Sequence, residues 1–121
     1  MKMSSKLFLE NVCERMISSE VFELADGMDL HVEKYESCGA ATGARHYHPY
    51  GILVYVLEGE TVSNASGSNK PITAGNYWFE RPNWEHGGID DNEPEIDDNQ
   101  CAKMLIIRVS KEGESPTVFV D

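Results

Sequence analysis

Positive charge is scarce in this 121-residue chain: ten Lys and Arg stand against 21 Asp and Glu, a net charge of −11. A nucleic-acid backbone or an anionic membrane surface repels such a chain, so neither is expected as a partner. Long apolar runs are absent too. Nothing approaches the ~18 residues of a membrane span. Glu10 and Glu14 interrupt the stretch from Met1 to Ser19, where a secretory signal would need an apolar core. Cysteine is limited to Cys13, Cys38 and Cys101, an odd number without metal-site spacing. That usage suits a reducing cytoplasm, with Cys38 and Cys101 as small buried apolar residues. No Ser-His-Asp arrangement, P-loop or dinucleotide fingerprint is present. No repeat or Pro-rich linker divides the chain, so one domain is expected.

What is present reads as β structure. Leu7, Leu9, Val12, Met16, Ile17 and Val21 fit neither the helical nor the strand period, which leaves residues 1–28 as an N-terminal segment without assignment. From residue 29 the pattern changes. "LHVEKYE" alternates; "ILVYVLEGE" is a continuous apolar run expected to form a strand buried on both faces; "NYWFE" and "CAKMLIIRVS" add two strands, and "TVFV" a last one. "SNASGSNKP" is built of turn formers, and its Asn64-Ala65-Ser66 triplet reads as a turn rather than a glycosylation site. Short strands between turns predict a sandwich or barrel over residues 29–119. Six carboxylates crowd "IDDNEPEIDDNQ" (89–100), expected to be a solvated loop because the calcium-loop pattern is missing.

Two of the four histidines, His46 and His48, stand one residue apart, which puts both on one face of an extended strand. A third, His86, lies eleven residues beyond Gly75. The runs "GARHYHPYGILVYVLEGE" and "AGNYWFERPNWEHGG" resemble the two motifs of the cupins, small double-stranded β-helix (jelly-roll) barrels. The chain closely resembles a subgroup of single-domain cupins reading His-x-His-Pro and later Phe-x-Glu-Pro before the last histidine. The resemblance spans roughly residues 29–119 and implies an all-β fold, with 1–121 forming one cupin domain of roughly eight to ten strands. It makes His46, His48 and His86 metal ligands.

The chain departs from the common motif in three places. The glutamate position falls on Ile52, which coordinates nothing. Arg81-Pro82-Asn83 stands for Pro-x-Gly, with Asn the next-best residue where positive φ is needed. Gly39 and Gly43 flank the place of the leading glycine. In the resembling subgroup the carboxylate precedes the proline, which is Glu80 here. Glu80 shares a strand face with Trp78 and is expected to point into the barrel as a fourth ligand or beside one. The alternative is pairing with Arg45, Arg81 or Arg108. His31 reads as a surface or satisfied core residue, and Tyr47, Tyr50, Tyr55, Trp78 and Trp84 as packing aromatics.

Three histidines and a carboxylate suit a divalent transition metal: Fe, Mn, Ni or Zn. The function this implies is a metal-dependent, dioxygenase-like enzyme acting on a small molecule. A metal-dependent lyase or isomerase and a non-catalytic ligand-binding or sensor protein are the alternatives. A homodimer is expected, from the resemblance and from a small barrel's need to cover its outer strands.

Overall fold

The structure, a computed structural model, describes residues 13–38, 45–63, 66, 70–86 and 100–120. Among these residues eight strands form: β1 (Cys13–Leu24), β2 (Met28–Cys38), β3 (His46–Tyr47), β4 (Ile52–Thr61), β5 (Ile72–Thr73), β6 (Tyr77–Glu80), β7 (Cys101–Lys111) and β8 (Val118–Phe119). There is no α-helix among the described residues, and all pairing is antiparallel, so the fold is all-β as expected. The main sheet runs β1-β2-β7-β4-β5, with β6 also on β4, and β3 pairs with β8 in a small second sheet. The acidic segment 89–99, the Asn64-Ala65 turn, Gly39 and Gly43 lie outside the described residues.

Directly opposed residues of an antiparallel ladder point to the same side, so the register sorts the sheet into two faces. Inward rows are Asp29–Ser110, then His31–Arg108–Ile52–Glu80, then Glu33–Ile106–Val54–Trp78, then Tyr35–Met104–Val56. Apolar members of these rows make the core: Ile52, Val54, Val56 and Trp78 are buried, with Ile72, Met104 and Ile106 packed on them. The other end of the same face is polar, and Asp29, Glu33, Glu80 and Ser110 are buried there.

The opposite face carries Phe22–Leu30–Val109, Val32–Ile107–Leu53–Phe79 and Leu105–Tyr55–Tyr77. This corrects the reading of β4 as buried on both faces. Ile52, Val54 and Val56 are buried, whereas Tyr55 and Leu57 are 36% and 37% exposed. An apolar run reports hydrophobic demand on both faces, and this chain meets it on one.

Residues 13–28 of the N-terminal segment are described, while Leu7, Leu9 and Val12 lie outside the described residues. β1 joins the main sheet along β2, with a register shift between Met16 and Ser18. A bulge moves every later side chain to the other face, which is why Met16, Ile17 and Val21 fit no single period.

The cysteine reading is corrected as well. Cys38 and Cys101 are direct register partners across β2 and β7 and form a disulfide. Cys101 is exposed rather than buried. Disulfides are at home in oxidising compartments, so the cysteines no longer speak for a reducing one.

Candidate metal centre

Four chain segments deliver the site. β3 brings His46, the turn after it His48, the end of β6 Glu80, and the bend after Pro82 brings back His86. Backbone bonds lock these segments together. His46 and His86 exchange two N–H···O bonds of 2.9 Å, and the His48 carbonyl accepts from Gly51 (3.1 Å) and Asn83 (2.9 Å). Two of those partners need unusual backbone. Asn83 has φ 64°, so the expected positive-φ turn is there. Gly51 has φ +86°, and a Cβ on it would meet the Phe79 ring at 2.5 Å and the Glu80 carbonyl at 2.8 Å. Only glycine lets β4 begin so close to Glu80.

One ring nitrogen from each of His46, His48 and His86 lies within 4.8 Å of the others. Hydrogen bonds on the far side of two rings set their tautomers. His48 Nδ1 faces the Pro116 carbonyl at 3.3 Å, and His86 Nδ1 the Trp84 carbonyl at 3.2 Å. A carbonyl can only accept, so each Nδ1 carries the proton and each Nε2 presents a lone pair.

Those lone pairs face Glu80. Its Oε1 lies 3.2 Å from His86 Nε2 and 3.8 Å from His48 Nε2, while Oε2 accepts from Trp78 Nε1 at 3.0 Å. Glu80 is buried, and its Oε1 has no hydrogen-bond donor. Acceptors thus converge on acceptors, an arrangement that is costly unless a cation or a proton sits among them. Burial first of all pushes the Glu80 carboxyl above its ordinary range, against the Trp78 bond and the His86 charge. Burial likewise holds His48 down at about 4; the Pro116 bond opposes this, and the charges of His46, His86 and Arg108 add to it. His48 is therefore neutral, as a metal ligand must be, through the mildly acidic range. This donor set fits a divalent transition metal.

The alternative partners for Glu80 are taken elsewhere. Arg45 pairs with Glu85 at 3.1 Å, Arg81 lies over the Trp84 ring at 5.4 Å, and Arg108 pairs with Glu33. His31 is satisfied by Ser110 Oγ at 2.8 Å, as the sequence led us to expect. Trp78 is a core residue that also holds Glu80, Trp84 stacks on His86 at 4.8 Å, and Tyr55 stacks on Tyr77 at the surface.

A buried chain behind His48 has no counterpart in the sequence reading. Glu33 accepts from Arg108, Arg108 donates to Thr117 Oγ1, and Thr117 Oγ1 lies 3.2 Å from His48 Nδ1. It ties β2, β7 and the residues before β8 to the site. The only signal for it was Arg108 standing in a strand otherwise rich in apolar residues.

No protein family matches the chain by sequence pattern, and no curated protein matches it. The solved structures it is similar to include small RmlC-like cupins and double-stranded β-helix proteins. An uncharacterized conserved protein with a double-stranded β-helix domain from Klebsiella pneumoniae is 18% identical, over 85% of this chain and 78% of that one, at a TM-score of 0.46. An RmlC-like cupin from Shewanella frigidimarina is 21% identical over 80% and 87%, at 0.40. Streptomyces Pac13 in complex with uridine is 13% identical over 85% of each chain, at 0.43.

Proposed function

We infer that the chain is a small cupin in which His46, His48 and His86 hold one divalent transition metal. Glu80 completes the site, as fourth ligand or as acceptor for a metal-bound water. The observation that carries this is the convergence of bare imidazole nitrogens on an undonated, buried carboxylate oxygen. Its supports are the motif spacing and the tautomers fixed by Pro116 and Trp84. The site's activity on this reading is metal-dependent chemistry on a small organic molecule. Dioxygenase-like chemistry is the leading form, and a lyase or isomerase using the metal as Lewis acid is the second.

Elemental analysis of protein purified without added metal tests both levels. His46→Ala, His48→Ala and His86→Ala should each lower metal content severalfold while the circular dichroism of the sheet is kept. Stoichiometric metal in all three variants would falsify the site. Redox-active iron favours the oxygenase form, and zinc alone the Lewis-acid form.

The partner on this reading is a second copy of the chain, seated on the outer face of the main sheet. Phe22, Tyr55, Leu57, Tyr77 and Phe79 are all exposed there. A broad apolar face of this kind marks an interface, and a homodimer covers it with the chain's own surface.

A further inference from the structure

Among the described residues, two buried side-chain polar atoms lack a hydrogen-bond partner: Glu80 Oε1 and Arg108 Nε. They are not scattered. Ile52 is the register partner of Glu80 on one side and of Arg108 on the other. All three point inward, with Ile52 buried between the two charged residues. One orphan is an acceptor within the candidate metal centre. The other is a donor two strand spacings away, about 10 Å between Cα atoms. Arg108 cannot swing to solve its own problem. Its other nitrogens are engaged by Glu33 on β2 and by Thr117, and its side chain is 15% exposed. An unmet buried donor costs about 1–3 kcal/mol, more on a charged group. An acceptor that reaches Arg108 Nε would remove that cost.

We propose that Glu80, Ile52 and Arg108 form a two-point binding site. One oxygen of a small organic ligand lies at the metal centre, a short hydrocarbon stretch crosses Ile52, and a second oxygen accepts from Arg108 Nε. This rests on the metal reading above and names its substrate class. The departure from the common motif at Ile52 takes on a role here. A glutamate in that place would put charge where the ligand's carbon chain passes, whereas isoleucine supplies an apolar floor.

Charge decides the second oxygen. Glu33 already neutralises Arg108, and Asp29 is buried one row further along the same face. A carboxylate at that end would therefore be a surplus anion in a low-dielectric setting, inside a chain of net charge −11. A carbonyl or hydroxyl oxygen satisfies the donor without it. The ligand class is a short carboxylic acid or carbonyl compound carrying an uncharged oxygen function at its far end.

The test uses the full chain loaded with zinc and three probes of equal backbone length: 4-oxopentanoate, pentanoate and glutarate. Binding is measured by titration calorimetry. We expect 4-oxopentanoate to bind about tenfold more tightly than pentanoate, the worth of one hydrogen bond to a charged group, and more tightly than glutarate. Arg108→Lys keeps a cation opposite Glu33 but has no Nε donor, so in its zinc-loaded form it should lose the preference. Should that variant unfold, Glu33→Gln with Arg108→Gln removes both charges together and should erase it likewise. Equal binding of 4-oxopentanoate and pentanoate, or a preference that survives Arg108→Lys, overturns the site. Tighter binding of glutarate overturns the uncharged end. A wild-type protein that takes up no zinc fails at the metal reading and takes this site with it; one that holds zinc and does not discriminate fails here alone.

Discussion

On the inner face of the main sheet, Asp29, His31, Glu33, Arg108, Ser110 and Glu80 stand beside a small core cluster that, among the described residues, consists of buried Ile52, Val54, Val56 and Trp78. The outer face of the same strands carries Phe22, Leu53, Tyr55, Tyr77 and Phe79 in continuous apolar rows. A one-sided sheet normally buries its apolar set and wets its polar one. Here charge has been moved inside and hydrocarbon left outside. Buried ionic groups contribute little net stability, so on the reading proposed above the inner face serves a ligand. The outer face, on the same reading, serves a second copy of the chain.

The largest effect should come from breaking the inner face. Arg108→Ala leaves Glu33 buried and uncompensated, an outcome that costs about 3–5 kcal/mol. Urea denaturation should report a loss of that size. Replacing both residues by a matched apolar pair should recover most of it, because the desolvation penalty goes with the charges. If Arg108→Ala proves neutral, Glu33 is not enclosed as described.

A second effect is set by pH in the metal-free protein. His48 is held at about 4, below its ordinary 6.5, so unfolding takes up a proton between those values. Stability contributed by neutral His48 is complete above about pH 6.5 and is lost as pH falls through the window. At 1.36 kcal/mol per unit the loss reaches at most about 3 kcal/mol. Glu80 acts in the opposite sense. Its raised pKa means that the folded state keeps a proton which the unfolded state has lost, so its contribution fades as pH rises. With chelator present, Glu80→Gln should therefore make stability rise more steeply with pH above about 4.5 than it does in the wild type. His48→Gln should flatten the rise. Parallel profiles for all three proteins would mean that these groups are not buried together.

The two faces also show which parts of this fold were legible in the sequence. His46, His48 and His86 were, because motif spacing is local and survives any tertiary detail. The inward direction of Glu80 was, because strand parity ties it to Trp78. Arg108 and Glu33, 75 residues apart, become partners only through the register of β2 on β7. The Cys38–Cys101 disulfide, with a separation of 63, depends on the same register. β1 was hidden by its bulge. The outer face was misread for a different reason: "ILVYVLEGE" states how apolar each face is and says nothing of whether the cover comes from the same chain.

Third in size is Glu80→Gln measured as metal affinity. The amide keeps the shape and the Trp78 bond but removes the charge that offsets a divalent ion. Affinity should fall about 10–100-fold, or about 1.4–2.7 kcal/mol. Chelator competition reads it directly, and adding Ile52→Glu, which returns a carboxylate to the common position, should restore part of it. Unchanged affinity would leave a three-histidine site with Glu80 as a bystander.

The smallest effect on the folded chain itself should come from the outer face, and this contrast is the sharpest use of the comparison. Tyr77 and Phe79 are 67% and 58% exposed on β6, on the side away from His86 and Glu80. Changing both to Glu removes the Tyr55–Tyr77 stack and the Phe79 ring from Gly51, but no member of the buried core cluster. It adds no buried charge to a lone chain, so monomer stability should fall by only about 1 kcal/mol. Metal content should not change at all. Self-association is a different matter. Two glutamates on each copy of a twofold interface bring four like charges together in a desolvated patch, and such juxtapositions cost several kcal/mol. Sedimentation should find the wild type dimeric and the variant monomeric at the same concentration. If the wild type sediments as a monomer, a second copy is not what covers this face. If the variant remains a dimer, the copies meet elsewhere, and the edge of β1 that pairs with no strand among the described residues becomes the place to look. Loss of metal in the variant would mean that the two faces are not independent.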